Sequence, residues 1–459
     1  MKDKFTDMPR KKANIDFATD KILGELCFDK HSYGIGGVNS MPMPESVVNG
    51  MKRLKPKLIR IFIQEFFFIE SDDGSLDFTK LDAYMKAVND TGSDVMASIC
   101  IKPHSLYPVV DETIWKPNDI ERWQFIIHEM VKRYSVENKY VTHWGVGNEM
   151  NIGEYGGCPY KINDVNDYYE YYLMTIDPIL KAYPTAKIGG PSFAGVGQET
   201  FDFFDNFIAM CTKDKTQLDF VSYNIYSDNP AYHADSAVKI ESIVNKYNDK
   251  IEVYVTEMNI GIGGELSIEE KAYTSKRASG LASAILEYRK RAPKVGTFQY
   301  HIYDQFCDST EFAPFYSRYR YMANHWDDEP HRLGLFDLDG NARTQYYMYS
   351  MLQSMAKNET PVETDSENIK IVASQGDDSY TLFLTNYEGD DSLLSFYFKN
   401  AKQGKARLTV CRIDDDKKWC NDSLSLIPTE DRTTYLHEDF WFSIYVPADS
   451  CAMITIKML

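Results

Sequence analysis

Long apolar runs are missing from this chain. No stretch approaches the ~20 residues that a bilayer-spanning helix needs, so a transmembrane helix is not its basis. Positive charge is also short: 50 Lys and Arg stand against 68 Asp and Glu, a net charge of −18. Nucleic acids and anionic membranes bind through positive potential, so both are excluded as expected partners. A strongly anionic polysaccharide is disfavoured for the same reason. The eight cysteines (27, 100, 158, 211, 307, 411, 420 and 451) are scattered, with no CxxC pair and no His at zinc-site spacing. Cys411 and Cys420 flank the turn-like IDDDKKW and could face each other across a hairpin; the others read as small buried residues. No glycine-rich phosphate loop precedes a helix, and neither HExxH nor a serine nucleophile elbow occurs. DLDGN (337–341) lacks the remaining ligands of a calcium loop and reads as a hairpin turn. The expectation is therefore no metal and no cofactor. The first residues, MKDKFTDMPRKK, lack an apolar core for a secretory leader. The chain as written reads as cytoplasmic, or as secreted or periplasmic if a leader has been removed.

What the chain does have is length, ordinary globular balance and aromatics. Its 459 residues are 43% hydrophobic and 26% charged, enough for a large barrel plus a smaller domain. Aromatics reach 14%, with 32 Tyr and 25 Phe. Tyr and Trp join a flat apolar face to a polar tip, which suits stacking on sugars, although many will be core.

Two stretches carry chemistry. VTHWGVGNEMN (141–151) begins as a strand and ends on Asn148-Glu149; IEVYVTEMN (251–259) begins as a strand and places Glu257 near its end. An acid at the C-terminal end of a barrel strand stands on the catalytic face. A lone Glu at a strand end is most often a solvated loop residue. Here both acids follow buried-looking strands, both have an Asn neighbour nearby, and they lie 108 positions apart, the span of about three β/α units. That makes them the fourth and seventh strands of a barrel, and a facing pair of carboxylates is the apparatus of glycoside hydrolysis.

The rest of the chain supplies the other strands. YGIGGVN (33–39), KLIRIFI (57–63), DVMASICI (94–101), KIGGPSF (187–193), DFVSYNIYS (219–227) and GTFQYHIYD (296–304) alternate with amphipathic segments at 44–54, 78–92, 119–134, 163–184, 199–212, 235–247, about 267–291 and 342–356. Eight strands alternating with eight helices make a (β/α)8 TIM barrel, an α/β fold, over 32–355. Past Asn358 the pattern changes to IKIVAS, YTLFLTNY, LLSFYF, ARLTVCRI, FWFSIYV and CAMITIK between turn clusters. This is an accessory antiparallel β-sandwich of residues 356–459, completed by residues 1–31. Within that N-terminal piece, 1–13 read as loose and Asn14–Asp29 as an edge strand.

At this point IRIF, THWGVGNEMN, KIGGPSF, DFVSYNIYS, VYVTEMN and GLFDLDGNARTQYYMY, in this order, resemble clan A glycoside hydrolases. More narrowly they are similar to glycoside hydrolase family 39, which holds β-xylosidases and α-L-iduronidases. The resemblance covers roughly residues 33–355 and implies retaining chemistry, with Glu149 as general acid/base and Glu257 as nucleophile. It implies that Asn148 binds the sugar 2-hydroxyl and that Tyr226 hydrogen-bonds the nucleophile. Arg60, at the end of the second strand, would hold positive charge beside Glu257 and favour its ionised form. The chain departs from the family at sugar contacts. Phe62 and Asn224 stand where histidines are usual, and the eighth strand carries Tyr300 and Asp304, with Cys307 and Asp308, where a Trp and a Glu-Glu pair are favoured. The expected activity is cleavage of an oligo- or polysaccharide by a β-xylosidase-like enzyme with an altered sugar subsite. Simple aryl β-xylosides should be poor substrates. A non-catalytic sugar-binding protein on a degenerate barrel is the alternative, against which both retained carboxylates argue. A transglycosylase on the same pair stays open, as does assembly into a homo-oligomer.

Overall fold

The computed structural model describes residues 8–71, 73–261, 274–328, 332–416, 419–438 and 440–459. The expected helix from about 267 therefore begins outside the described residues, and its described part runs Lys276–Arg291.

Eight parallel strands close into a barrel in chain order: β1 (His31–Gly34), β2 (Leu58–Ile63), β3 (Asp94–Ile99), β4 (Val141–Val146), β5 (Lys187–Ala194), β6 (Phe220–Tyr226), β7 (Glu252–Asn259) and β8 (Gly296–Tyr300). β1 and β8 are shorter than their sequences suggest, because the chain turns away after Gly34 and Tyr300. The barrel interior is built in layers. At its N-terminal end Met96, Phe220 and Phe298 form a separate apolar cluster, with Leu58 and Tyr254 against it. Nearer the C-terminal end lies the fully buried Arg60. The helices cover the barrel as amphipathic rows. Val165–Ala182, for example, is capped by the Asp164 carboxylate and turns Tyr168, Tyr172 and Ile179 inward.

Two sheets pack face to face in the sandwich. One orders Gly24–Glu25, Asn358–Thr360, Ile369–Gln375, Ser379–Asn386, Ser450–Met458, Gly404–Ile413 and Glu430–Leu436; the other orders Val362–Thr364, Arg10–Asp16, Ser392–Lys399 and Trp441–Val446. Between them Ala13, Ile15, Phe17, Leu382, Phe396 and Ile454 belong to one core. The N-terminal strand starts four residues before the expected Asn14 and includes residues expected to be loose. It pairs in parallel with Ser392–Lys399, from Arg10 opposite Leu393 to Asp16 opposite Lys399, so the sandwich is antiparallel except for this pair. All eight cysteines are free thiols, Cys411 and Cys420 included. DLDGN is a turn: Asp337 Oδ1 accepts from the Asp339 and Asn341 amides at 3.0 and 2.7 Å. Among the described residues no helix is long and apolar enough to cross a membrane.

Helix Lys276–Arg291 joins the two bodies. Its small residues (Ala278, Ser279, Gly280, Ala282, Ser283, Ala284) are all buried, and Thr385 of the sandwich donates to the Ser279 carbonyl at 2.8 Å.

Candidate active site

Glu149 and Glu257 meet at the C-terminal mouth of the barrel through a connected set of hydrogen bonds. Arg60 Nη1 donates to Glu257 Oε1 at 2.9 Å, and its Nη2 donates to Asn148 Oδ1 at 2.7 Å. Its Nε reaches Ser98 Oγ at 3.2 Å, while Phe62 lies under the guanidinium at 4.2 Å from ring centroid to Cζ. The Tyr226 hydroxyl donates to the other carboxyl oxygen, Glu257 Oε2, at 2.6 Å. Asn224 Nδ2 donates to Glu149 Oε1 at 2.8 Å and lies 3.3 Å from Asn148 Oδ1. Its own carbonyl is held by the Thr256 hydroxyl at 2.8 Å. Thus Arg60, Phe62, Asn148, Glu149, Asn224, Tyr226 and Glu257 form one cluster, and Tyr300 borders it edge-on to Phe62.

The local backbone explains how the sequence places Glu149. After β4, Gly147 takes φ 83° and Glu149 itself takes φ 45°, a left-handed conformation that costs a non-glycine residue about 1–3 kcal/mol. The Glu149 amide donates to the Ser192 carbonyl at 2.9 Å, and its carbonyl accepts from Ile152 and Gly153. Those bonds hold the turn that aims the carboxyl across the mouth. Gly156 lies directly against that carboxyl, where a Cβ would strike it.

The two acids have different surroundings. Burial, and then the charge of Glu257, push the Glu149 carboxyl up to about 8, against smaller lowering effects of Asn224 and Arg60. Glu257 instead accepts from a guanidinium on one oxygen and a phenol on the other. Burial and the neighbouring charge thereby suit Glu149 to carry a proton at neutral pH.

Beside Glu257 lies a narrow cavity of about 40 Å³ bordered by Phe62, Gln64, Asn148, Glu257, Tyr300 and Met322. Gln64, which no motif marks, donates Nε2 to the Tyr316 hydroxyl at 2.8 Å and to the Gly157 carbonyl at 3.1 Å. Its buried Oε1 has no partner among the described residues. Gln64 directly follows β2, and the strand-end reasoning that marks Glu149 applies to it. Met322 arrives on the short helix Tyr319–Ala323 long after β8, and nothing in the sequence announces it. Tyr155 and Tyr321, both exposed in part and edge-to-face at 4.9 Å, stand nearby. Burial, Tyr155 and the Glu149 charge all raise the Tyr321 phenol.

Asp304 is placed elsewhere. Its carboxylate is bound by Arg343 at 2.5 Å and by the Gly334 amide at 2.9 Å, and it does not border the cavity. Asp308 caps the helix Ser309–Phe312 through the Thr310 amide, and Cys307 is buried. No group of three or more His, Cys, Asp or Glu among the described residues is arranged to hold a metal ion.

The family model described as Glycosyl hydrolases family 39 matches residues 57–382. A curated β-xylosidase of Geobacillus stearothermophilus is 24% identical over 128 residues, 26% of this chain and 24% of that protein, so the match spans about a quarter of that relative's length. Among solved structures, a monomeric β-xylosidase from Caulobacter crescentus CB15 superposes with a TM-score of 0.75 at 15% identity, covering 98% of this chain and 99% of that one. The GH39 enzyme from Xanthomonas axonopodis pv. citri gives 0.74 at 15% identity, covering 98% and 97%. At such identities the superpositions show the fold.

Proposed function

The chain belongs to glycosyl hydrolase family 39, and on that premise we propose that it is a retaining glycoside hydrolase acting on a neutral oligosaccharide. The observation that carries this reading is the asymmetry of the carboxyl pair: a Glu149 raised to about 8, partly by the charge of Glu257, and a Glu257 gripped by Arg60 and Tyr226.

In the first step Glu257 attacks the anomeric carbon. The bond to the leaving oxygen breaks as Glu149 gives that oxygen its proton, and a glycosyl ester to Glu257 forms. Esterification removes the Glu257 charge, one of the two causes that raise Glu149. Glu149 then ionises more readily and takes a proton from the incoming water, which attacks the anomeric carbon and frees Glu257. Asn148, fixed by Arg60, borders the cavity while its Nδ2 donates to the Gly156 carbonyl at 3.1 Å, and it is the candidate for the 2-hydroxyl. Phe62 supports Arg60 rather than offering a polar contact, and Asn224 is engaged by Glu149 and Thr256. Few side-chain donors are left to read a single unadorned sugar, which supports poor turnover of simple aryl β-xylosides and better turnover of longer or decorated chains.

The test is a chemical rescue. Glu257→Ala should lose hydrolysis of aryl glycosides, and azide should restore turnover of one with a good leaving group, yielding a glycosyl azide of inverted configuration. A folded Glu257→Ala protein that hydrolyses as wild type would remove the nucleophile role.

A further inference from the structure

Beside the catalytic cavity, on the same face of the barrel, runs a much larger groove of about 860 Å³. It lies between the segments after β2 and β3 and the helix Ser309–Phe312 with the residues after it. Only a thin wall separates the two spaces. Gln64 borders the cavity and Glu65 borders the groove, and Gln64, Tyr316 and the Gly157 carbonyl close the wall by hydrogen bonds of 2.8 to 3.1 Å. We infer that this groove binds the distal units of a neutral oligosaccharide whose terminal sugar occupies the catalytic cavity. The inference rests on the glycosidase reading and adds to it a second, non-catalytic binding region.

Three observations carry it. The first is an unsatisfied buried group. Glu65 is 3% exposed; its Oε2 accepts from the Lys102 amide at 3.1 Å, and its Oε1 has no hydrogen-bond partner among the described residues. A buried polar atom without a partner is destabilising, and a ligand hydroxyl that reaches it from the groove would satisfy it. Burial also lifts this carboxyl to about 8, which favours its protonated form at neutral pH.

The second is charge. Of the cationic side chains bordering the groove, Arg122 donates to Glu70 at 2.7 Å and Lys80 is paired with Glu311. With its cations paired, the groove suits a neutral, hydroxyl-rich ligand and not an anion. The third is a flat aromatic edge: His104 and Phe315 stack with centroids 4.5 Å apart and an interplanar angle of 20°. His104 is exposed and Phe315 half-buried, so the pair offers a platform for a sugar ring. The volume is that of sites holding ligands of several rings.

The experiment is titration calorimetry of the full chain carrying Glu257→Ala with neutral xylo-, cello-, arabino-, galacto- and manno-tetrasaccharides, followed by groove variants in that background. At least one tetrasaccharide should bind, and His104→Ala and Phe315→Ala should each weaken it at least about tenfold. Glu65→Gln keeps an acceptor for the Lys102 amide and a donor toward the groove, so it should retain binding, whereas Glu65→Met should lose it. Should Glu65→Met not fold, the two rim variants still decide. No tetrasaccharide binding overturns the inference, as does binding indifferent to His104 and Phe315. Binding lost equally in Glu65→Gln would mean that an ionised carboxylate is needed and would overturn the neutral-ligand reading. Failure of the glycosidase reading shows separately, as an absence of turnover by the wild-type protein of both aryl glycosides and the tetrasaccharides.

Discussion

Glu149 and Glu65 are both lifted to about 8, yet they differ in cause and in consequence. Glu149 is raised by burial and then by Glu257, so its proton is tied to the charge state of Glu257. With an unactivated glycoside, kcat/KM should fall as pH rises through about 8, when the acid is lost. For a dinitrophenyl glycoside, whose leaving group needs no acid, Glu149→Ala should remove that alkaline limb; a limb that persists would assign it to another group. Glu65 is raised by burial alone, against small lowering contributions from its hydrogen bonds and Lys102. Its ordinary value is 4.5, so between that pH and about 8 the folded chain holds a proton that the unfolded chain releases. The associated stability is complete below 4.5 and is lost as pH rises through about 8. Glu65→Gln stays neutral throughout. Relative to wild type it should gain up to a few kcal/mol as pH rises from about 5 to about 8, at ~1.4 kcal/mol for each tenfold difference in proton affinity between the folded and unfolded chain. Thermal melts across that range would measure it.

At the scale of elements, the loop after β4 and the helix Tyr319–Ala323 set the shape of the mouth. Gly156→Ala would push the Glu149 carboxyl aside. It should cut kcat on unactivated glycosides by roughly ten- to hundredfold, the range of a misplaced acid, with a smaller loss for dinitrophenyl glycosides. Met322 on that helix borders the cavity, so hydrogen exchange over 319–328 should slow when a bound sugar holds the segment in one position. Unchanged exchange at saturation would show that this helix does not contact the sugar. The same elements mark what a sequence can tell. β4 and β7 are legible because each is a mostly apolar strand ending in a carboxylate, a local signal of period and punctuation. The start of Arg10–Asp16 is hidden because only Ala13 and Ile15 on it face the core, and its charged first residues mask the alternation. Glu430–Leu436 escapes notice because it is an edge strand whose residues are almost all polar. Asp304 reads as a sugar contact because its partner Arg343 lies 39 positions away, and only folding brings the two together.

At the scale of the molecule, the sandwich is tied to the barrel through helix Lys276–Arg291. A Cβ on Gly280 would meet Ile260, just beyond the end of β7, and the Tyr387 ring at 3.0 Å. Gly280→Leu forces excess volume into that seam, where overpacking costs about 1–3 kcal/mol. A chain of this size should lose roughly 2–4 °C of Tm per kcal/mol, and kcat should fall with it because Ile260 follows the strand that carries Glu257. A melt unchanged from wild type would show the seam to be loose. The parallel pairing of Arg10–Asp16 with Ser392–Lys399 also has a meaning in time. The strand leaves the ribosome about 380 residues before its parallel partner Ser392–Lys399; at ~5–20 residues per second that is a delay of roughly 20–80 s. Throughout it the strand has no ladder to join, while the whole barrel is made between its two halves. An unpaired strand is a template for other chains, and lysines are among the residues that guard such edges. The RKK with which this strand begins is therefore protection for the interval during synthesis as well as a surface of the finished sheet.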